Sequence, residues 1–298
     1  MAINFDKSYT SPSEIVSILQ ERGLVIDNHE QAIQYLTHIG YYRFSAYLYP
    51  FLLQPKEEHR FKTGSRFTSA MSLYRFDKKL RMFLFNEIEK IEVALRSCIA
   101  NVVAEETGNI FWMTDKAVFA NEEKFNRTMA LVDKELKSSK EDFIKHFKEK
   151  YANDYPPAWM LVEILPLGVV TRIYENLADN ALRKKIAAHF YLPVPVFCSW
   201  ITIITLVRNT CCHHSRVWNK ENAIAPMSLK KIQRPWISKD ISASRIFYDI
   251  CILKWFVDII SPANDMKEHI KELLTNHPSV DIAAMGFPKN WEEEPLWR

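Results

Sequence analysis

Glycine is scarce, 6 residues in 298, about 2% against a usual share near 7%. Loops that cradle phosphate or a dinucleotide need glycine where the backbone turns tightly or approaches the ligand. Gly23, Gly40, Gly64, Gly108, Gly168 and Gly286 nowhere form GxGxxG or GxxxxGK, which argues against nucleotide folds built on such loops. A β-sandwich needs a turn roughly every 8–12 residues and is as poorly supplied. Long apolar runs are also few. One uncharged run covers residues 190–207, but Pro193 and Pro195 interrupt it. The remainder, Val196 to Val207, falls short of the roughly 20 residues a membrane span needs, so no membrane segment is expected. The start, MAINFDKSYT, has no apolar signal core.

Cysteine is limited to Cys98, Cys198, Cys211, Cys212 and Cys251, an odd number without a CxxC pair. That usage fits reduced thiols and a cytoplasmic setting. Charge of one sign is nearly absent: 39 Lys and Arg against 36 Asp and Glu leave +3. An anionic partner would have to be held by a local patch. Hydrophobic residues at 48% suffice for a core. The fold class expected is all-α.

Ser11-Pro12 with Glu14 reads as a helix start, and Gly23 as its stop. A second helix runs from about Asn28 to Gly40. The aromatic stretch from Tyr41 to Phe51 reads as packing rather than as a base-stacking surface, because no basic groove adjoins it. From about Thr68 to Val103, Leu73, Phe76, Leu80, Leu84, Ile88, Ile91, Leu95 and Ile99 recur at spacings of three or four, one buried helical stripe. Asp77, Lys78, Lys79, Glu87, Glu89 and Lys90 lie largely off it. Glu92 and Arg96, four apart, suit a helical ion pair. The charged stretch from Ala120 to Lys150 reads as a solvated helical excursion. Apolar helices follow to Leu177, and another from Asn180 to Tyr191. Beyond Pro226 come loops, an amphipathic helix from about Ser242 to Ile260, and a terminal helix from Asn264 to Asn276.

The distinctive segment is VFCSWITIITLVRNTCCHHSRVWN, residues 196–219. On a continuous helix at 100° per residue, Trp200, Ile203, Ile204, Val207, Cys211 and Trp218 form an apolar arc. Thr202, Thr205, Asn209, His213 and Arg216 lie opposite. Arg, Asn, His and Ser are groups that bind phosphate or move protons. Adjacent Cys211, Cys212, His213 and His214 point in successive directions 100° apart and cannot converge on one ion, so no metal and no cofactor is expected. Neighbouring cysteines make a poor disulfide, and Cys211 reads as a small buried apolar residue. A Cys212 nucleophile paired with the adjacent histidine suffers the same divergence. Burial of this polar face in a dimer or interdomain contact is the architectural alternative.

Arg208-Asn209-Thr210-Cys211-Cys212-His213 fits the R-N-x-x-x-H form of the Rx4–6H signature of the HEPN superfamily. The fuller LVRNTCCHHSRVWN resembles the corresponding segment of the Abi-like (AbiD/AbiF) abortive-infection proteins of bacteria. IGYYRFSAYLYPF at 39–51, LYRFDKKLR at 73–81, IEKIEVALRS at 88–97, PPAWMLVEILPLG at 156–168 and MGFPKNWEEEPLW at 285–297 agree with that family in the same order. The resemblance implies a HEPN-like helical core at 66–222, between helical segments at 1–65 and 223–298. It further implies homodimerisation, metal-independent RNA cleavage and a role in phage defence. An inhibitory RNA or protein partner is compatible with it.

The residue types suit that chemistry. RNA carries its own nucleophile, the 2′-hydroxyl, so an enzyme needs a base, an acid and positive charge on the phosphorane oxygens. Histidine titrates near neutrality, and arginine offers a charged planar fork. His213 is assigned as acid/base, Arg208 as phosphate clamp, and Asn209 as the group that orients His213 or binds phosphate. His214 is the rival base. Arg216 would hold a neighbouring phosphate, and Glu92 and Arg96 support the site from the long helix. Arg208 and His213 diverge by about 140° on an ideal helix, so either the helix is distorted or two subunits meet across a two-fold axis. The second hypothesis is a non-catalytic helical module that binds RNA or protein through the same face.

Overall fold

The structure, a computed structural model, describes residues 8–229 and 233–298; most of the MAINFDKSYT start lies outside the described residues. The fold is all-α: 65% of it is helical, with 12 helices and no strands among the described residues. Extended pairing is limited there to isolated bridges such as Val25 with Arg66 and Glu221 with Arg245. Two compact units divide the chain. One holds the described residues up to Leu80 with Leu273–Val280, the other the described residues of Arg81–Glu272 with Asp281–Arg298.

In the first unit, α1 (Pro12–Glu21) starts with a capping box. Ser11 Oγ accepts from the Glu14 amide at 3.3 Å, and Glu14 Oε2 accepts from the Ser11 amide at 2.7 Å. Asn28 caps α2 (His29–Ile39) with one bond, its Oδ1 accepting from the Gln31 amide at 2.9 Å. Gly40, at φ +81°, takes a backbone conformation few side chains tolerate. It lets α3 (Tyr41–Leu48) begin at once. The aromatic stretch is therefore a third helix. Phe44 and Tyr47 are buried, Tyr47 donates to the buried Asp77 carboxylate, and Tyr42 is exposed.

The long helix α4 (Phe67–Thr107) belongs to the second unit from Arg81 onward. All eight positions of its apolar stripe are buried, none more than 6% exposed. Two of the charged residues expected off the stripe are not solvated: Asp77 and Glu87 are fully buried. Partners account for it, since a buried charge without them would be costly. Glu87 accepts from Asn86 Nδ2 and Lys90 Nζ, both at 2.9 Å.

The charged excursion forms α5 (Glu122–Ser138) and α6 (Asp142–Lys150), which turn Val132, Ile144 and Phe147 inward. After α7 (Ala158–Leu161), α8 (Leu167–Glu175) and α9 (Asn180–His189), α10 (Val194–Cys212) packs on α8, α9 and α11 (Ile246–Ile260). The chain's last α-helix is α12 (Met266–Thr275).

Three expectations are corrected here. Pro195 sits in the first turn of α10, where a missing N–H breaks no helical bond, so this helix has 19 residues. By length and composition it could cross a membrane, but half of its apolar window is buried in the protein. It also stops at Cys212 rather than continuing to Asn219. Finally, α11 is not amphipathic: every residue from Ile246 to Val257 is buried. Each large apolar side chain so buried contributes about 1.5–3 kcal/mol. The carboxyl-terminal MGFPKNWEEEPLW segment closes over α11, with Phe287, Trp291 and Trp297 packed around Phe247.

Candidate active site

The last turns of α10 carry Arg208 and Asn209, and the helix ends between them and the histidines. His213 is the C-cap, at φ −83° and ψ 7°. His214 is left-handed, at φ +55°. Its amide donates to the Cys211 carbonyl and the Ser215 amide to the Thr210 carbonyl, each at 3.0 Å. These two bonds form a Schellman closure, in which the left-handed position is usually glycine. Histidine is among the non-glycine residues more tolerant of that conformation. From α4, the buried Arg81 donates Nη1 to the Ser215 carbonyl at 3.4 Å and so tethers the turn.

Ending the helix changes the expected face. Asn209 and His213 are both exposed, and the His213 amide donates to the Asn209 carbonyl at 3.0 Å. Arg216, half-buried, lies beyond the helix and is not one turn further along it. Trp218 is buried, though from the following strap rather than from the helix. Cys211 is buried, as its apolar reading requires. This end of α10 is its carboxyl end, which lacks the outward amides that bind anions at helix starts. A phosphate here has to be held by side chains.

The support from α4 is direct. Glu92 pairs with Arg96 four residues on, and its Oε2 also lies 3.5 Å from Arg208 Nε. Arg96 in turn donates to the carbonyls of Val162 at 3.0 Å and Glu163 at 2.8 Å. Glu92 and Arg96 are largely buried, whereas the Arg208 side chain is 30% exposed. Arg208 Nε itself is buried without a hydrogen bond, so the exposed part of that side chain lies elsewhere along it. One carboxylate thus links α4 to the arginine of α10. Among the described residues, no group of three or more His, Cys, Asp or Glu is placed to hold a metal ion.

Residues 34–219 match the family model described as Abi-like protein. The chain belongs to the Abi-like protein family. The matched stretch contains Glu92, Arg96, Arg208, Asn209, His213, His214 and Arg216. Membership in the Abi-like family points to abortive infection and phage defence. No curated protein and no solved structure matches the chain.

Sequence reasoning missed Arg81, although it closes the LYRFDKKLR block, because nothing local signals that it reaches Ser215. It also missed the strap after His214. There Asn222 Nδ2 donates to both carboxylate oxygens of Asp249, at 3.0 and 2.8 Å. Asp249 is 1% exposed, and burial pushes its carboxyl up to about 7 while the Asn222 bond partly opposes that shift. Its position in the expected amphipathic helix gave it no special weight.

Proposed function

We propose that this Abi-like protein is a metal-independent endoribonuclease of the HEPN type. The observation that carries the reading is His213, solvent-exposed at the end of α10 in the same motif as a partly exposed arginine held by Glu92. The imidazole takes the proton of the 2′-hydroxyl, whose oxygen attacks the adjacent phosphorus. The bond from phosphorus to the 5′-oxygen breaks, and that oxygen receives a proton from a second imidazole. Arg208 balances the charge on the phosphorane oxygens, with Asn209 beside it. The products are a 2′,3′-cyclic phosphate and a 5′-hydroxyl.

The second imidazole comes from a second copy across a two-fold axis. What supports that arrangement is an apolar set on α4: Met82, Phe85 and Val93 are 63%, 43% and 57% exposed. At 100° per residue they share a face with Glu92 and Arg96. Exposed apolar groups collected on one face mark interaction surfaces. RNA with a 2′-deoxy sugar at the cut position tests the nucleophile. It should resist cleavage, and cutting at the unmodified rate would reject the scheme.

The capture of Arg208 by Glu92 favours one other reading, a non-catalytic module that binds RNA or protein. Overexpression separates the two. A nuclease should arrest growth and its Arg208→Ala and His213→Ala variants should not, whereas a binding module should arrest growth in all three forms.

A further inference from the structure

A cavity of about 190 Å³ opens beside the last turns of α10. Ile203 and Val207 of α10, Ile246 of α11 and Val217 of the strap make its apolar walls. Asp249 also lines it, a nearly fully buried carboxyl in a hydrocarbon setting, with Asn222 donating to both of its oxygens. The exposed Lys220 stands at its edge. Asn222 and Asp249 lie outside the stretch that matches the Abi-like family. Pockets for drug-sized ligands start near 300 Å³, so this one suits a single planar ring system rather than a whole nucleotide.

We propose that this cavity is a base subsite for the RNA and that it selects guanine. The assignment deepens the ribonuclease reading and rests on it. Thr210 lies in the cavity wall, and His213 follows three residues later, about 5–6 Å away between Cβ atoms. A base seated here belongs to a nucleotide next to the scissile phosphate. A carboxylate accepts two parallel N–H donors, and the base takes the place of the Asn222 amide that fills both Asp249 oxygens here. Guanine presents such a pair, N1–H and N2–H, whereas adenine and cytosine offer one donor beside one acceptor, and uracil one donor between two acceptors. The apolar walls cover the ring faces, and Lys220 meets a phosphate at the mouth.

The test reads binding without turnover. Full-length His213→Ala protein is titrated with each of the four 5′-ribonucleoside monophosphates at pH 8, following ligand saturation transfer. GMP should bind at least tenfold more tightly than AMP, CMP or UMP. Adding Ala223→Trp, at an exposed position lining the cavity, should weaken GMP at least tenfold. Asp249→Asn replaces one acceptor by a donor. It should abolish the preference for GMP and raise binding of AMP and CMP. Equal binding of all four, binding of none, or GMP binding untouched by Ala223→Trp would each overturn the subsite. Cleavage plays no part in this readout. A protein that binds GMP here but leaves RNA intact refutes the nuclease reading, while one that cuts RNA without binding GMP refutes the subsite alone.

Discussion

Glu92 of α4 and Arg208 of α10 meet with Oε2 3.5 Å from Nε, in a place where the carboxylate is only 13% exposed. The contact fixes the stem side of the guanidinium. In the proposed ribonuclease Glu92 is a positioning residue, working through Arg208 rather than on substrate. Glu92→Gln should stay folded and lose about 1–3 kcal/mol of stability, because Arg96 and Arg208 keep their charge without its partner. A double-mutant cycle with Arg208→Gln, read by urea unfolding, should show a coupling of about 0.5–3 kcal/mol. Strict additivity would mean that the two side chains do not interact.

The left-handed His214 offers a way to tell the two histidines apart. A non-glycine residue in that conformation costs roughly 1–2 kcal/mol, so His214→Gly relieves backbone strain while it removes the imidazole. The variant should keep most of its RNA cleavage. His214→Ala should melt lower than His214→Gly, because alanine retains the Cβ. Loss of cleavage in a stable His214→Gly protein would move the acid/base role from His213 to His214.

Asp249 sets a pH dependence of stability. Its carboxyl is raised from the ordinary 3.8 to about 7 by burial. Between these values the unfolded chain has released the proton and the folded one still holds it, so stability falls as pH rises through the window. The contribution is full below pH 4 and gone above pH 7, on the order of 4 kcal/mol in total. Asp249→Asn should flatten that part of the stability curve and unfold at higher urea than wild type at pH 8. Parallel wild-type and variant curves from pH 4 to 8 would contradict it.

Much of the architecture was legible because it follows local rules. The Ser11 and Asn28 caps, the stop at Gly40 and the eight-residue stripe of α4 each depend on residues a few positions apart. The end of α10 was not legible, since a histidine fills the left-handed position where glycine would have announced the stop. Pro195 misled for a related reason: proline breaks helix interiors but is accepted in a first turn. At the site, Arg208, Asn209 and His213 stood out by residue type and by their likeness to the R-N-x-x-x-H motif, and the Glu92–Arg96 pair by spacing. That Glu92 also reaches Arg208, and that Arg81 reaches Ser215, are tertiary facts with no local signal. The burial of Asp249 escaped because twelve successive buried positions on α11 leave no period to read.

The apolar face of α4 predicts the assembly. Val93→Glu changes an exposed residue, 57% accessible, and should leave melting within a few degrees of wild type. It should convert a dimer to a monomer in sedimentation velocity and lower RNA cleavage at least tenfold, since the second imidazole is lost. A dimeric, fully active Val93→Glu protein would place the interface elsewhere.

The most direct test of the central claim is the rate at which wild-type and His213→Ala proteins, equal in melting temperature, cut single-stranded RNA in EDTA. Removal of a general acid or base should slow cleavage by about 10²–10⁴-fold, and the wild-type products should end in a 2′,3′-cyclic phosphate. Equal rates for the two proteins, or no cleavage by wild type, would contradict the account.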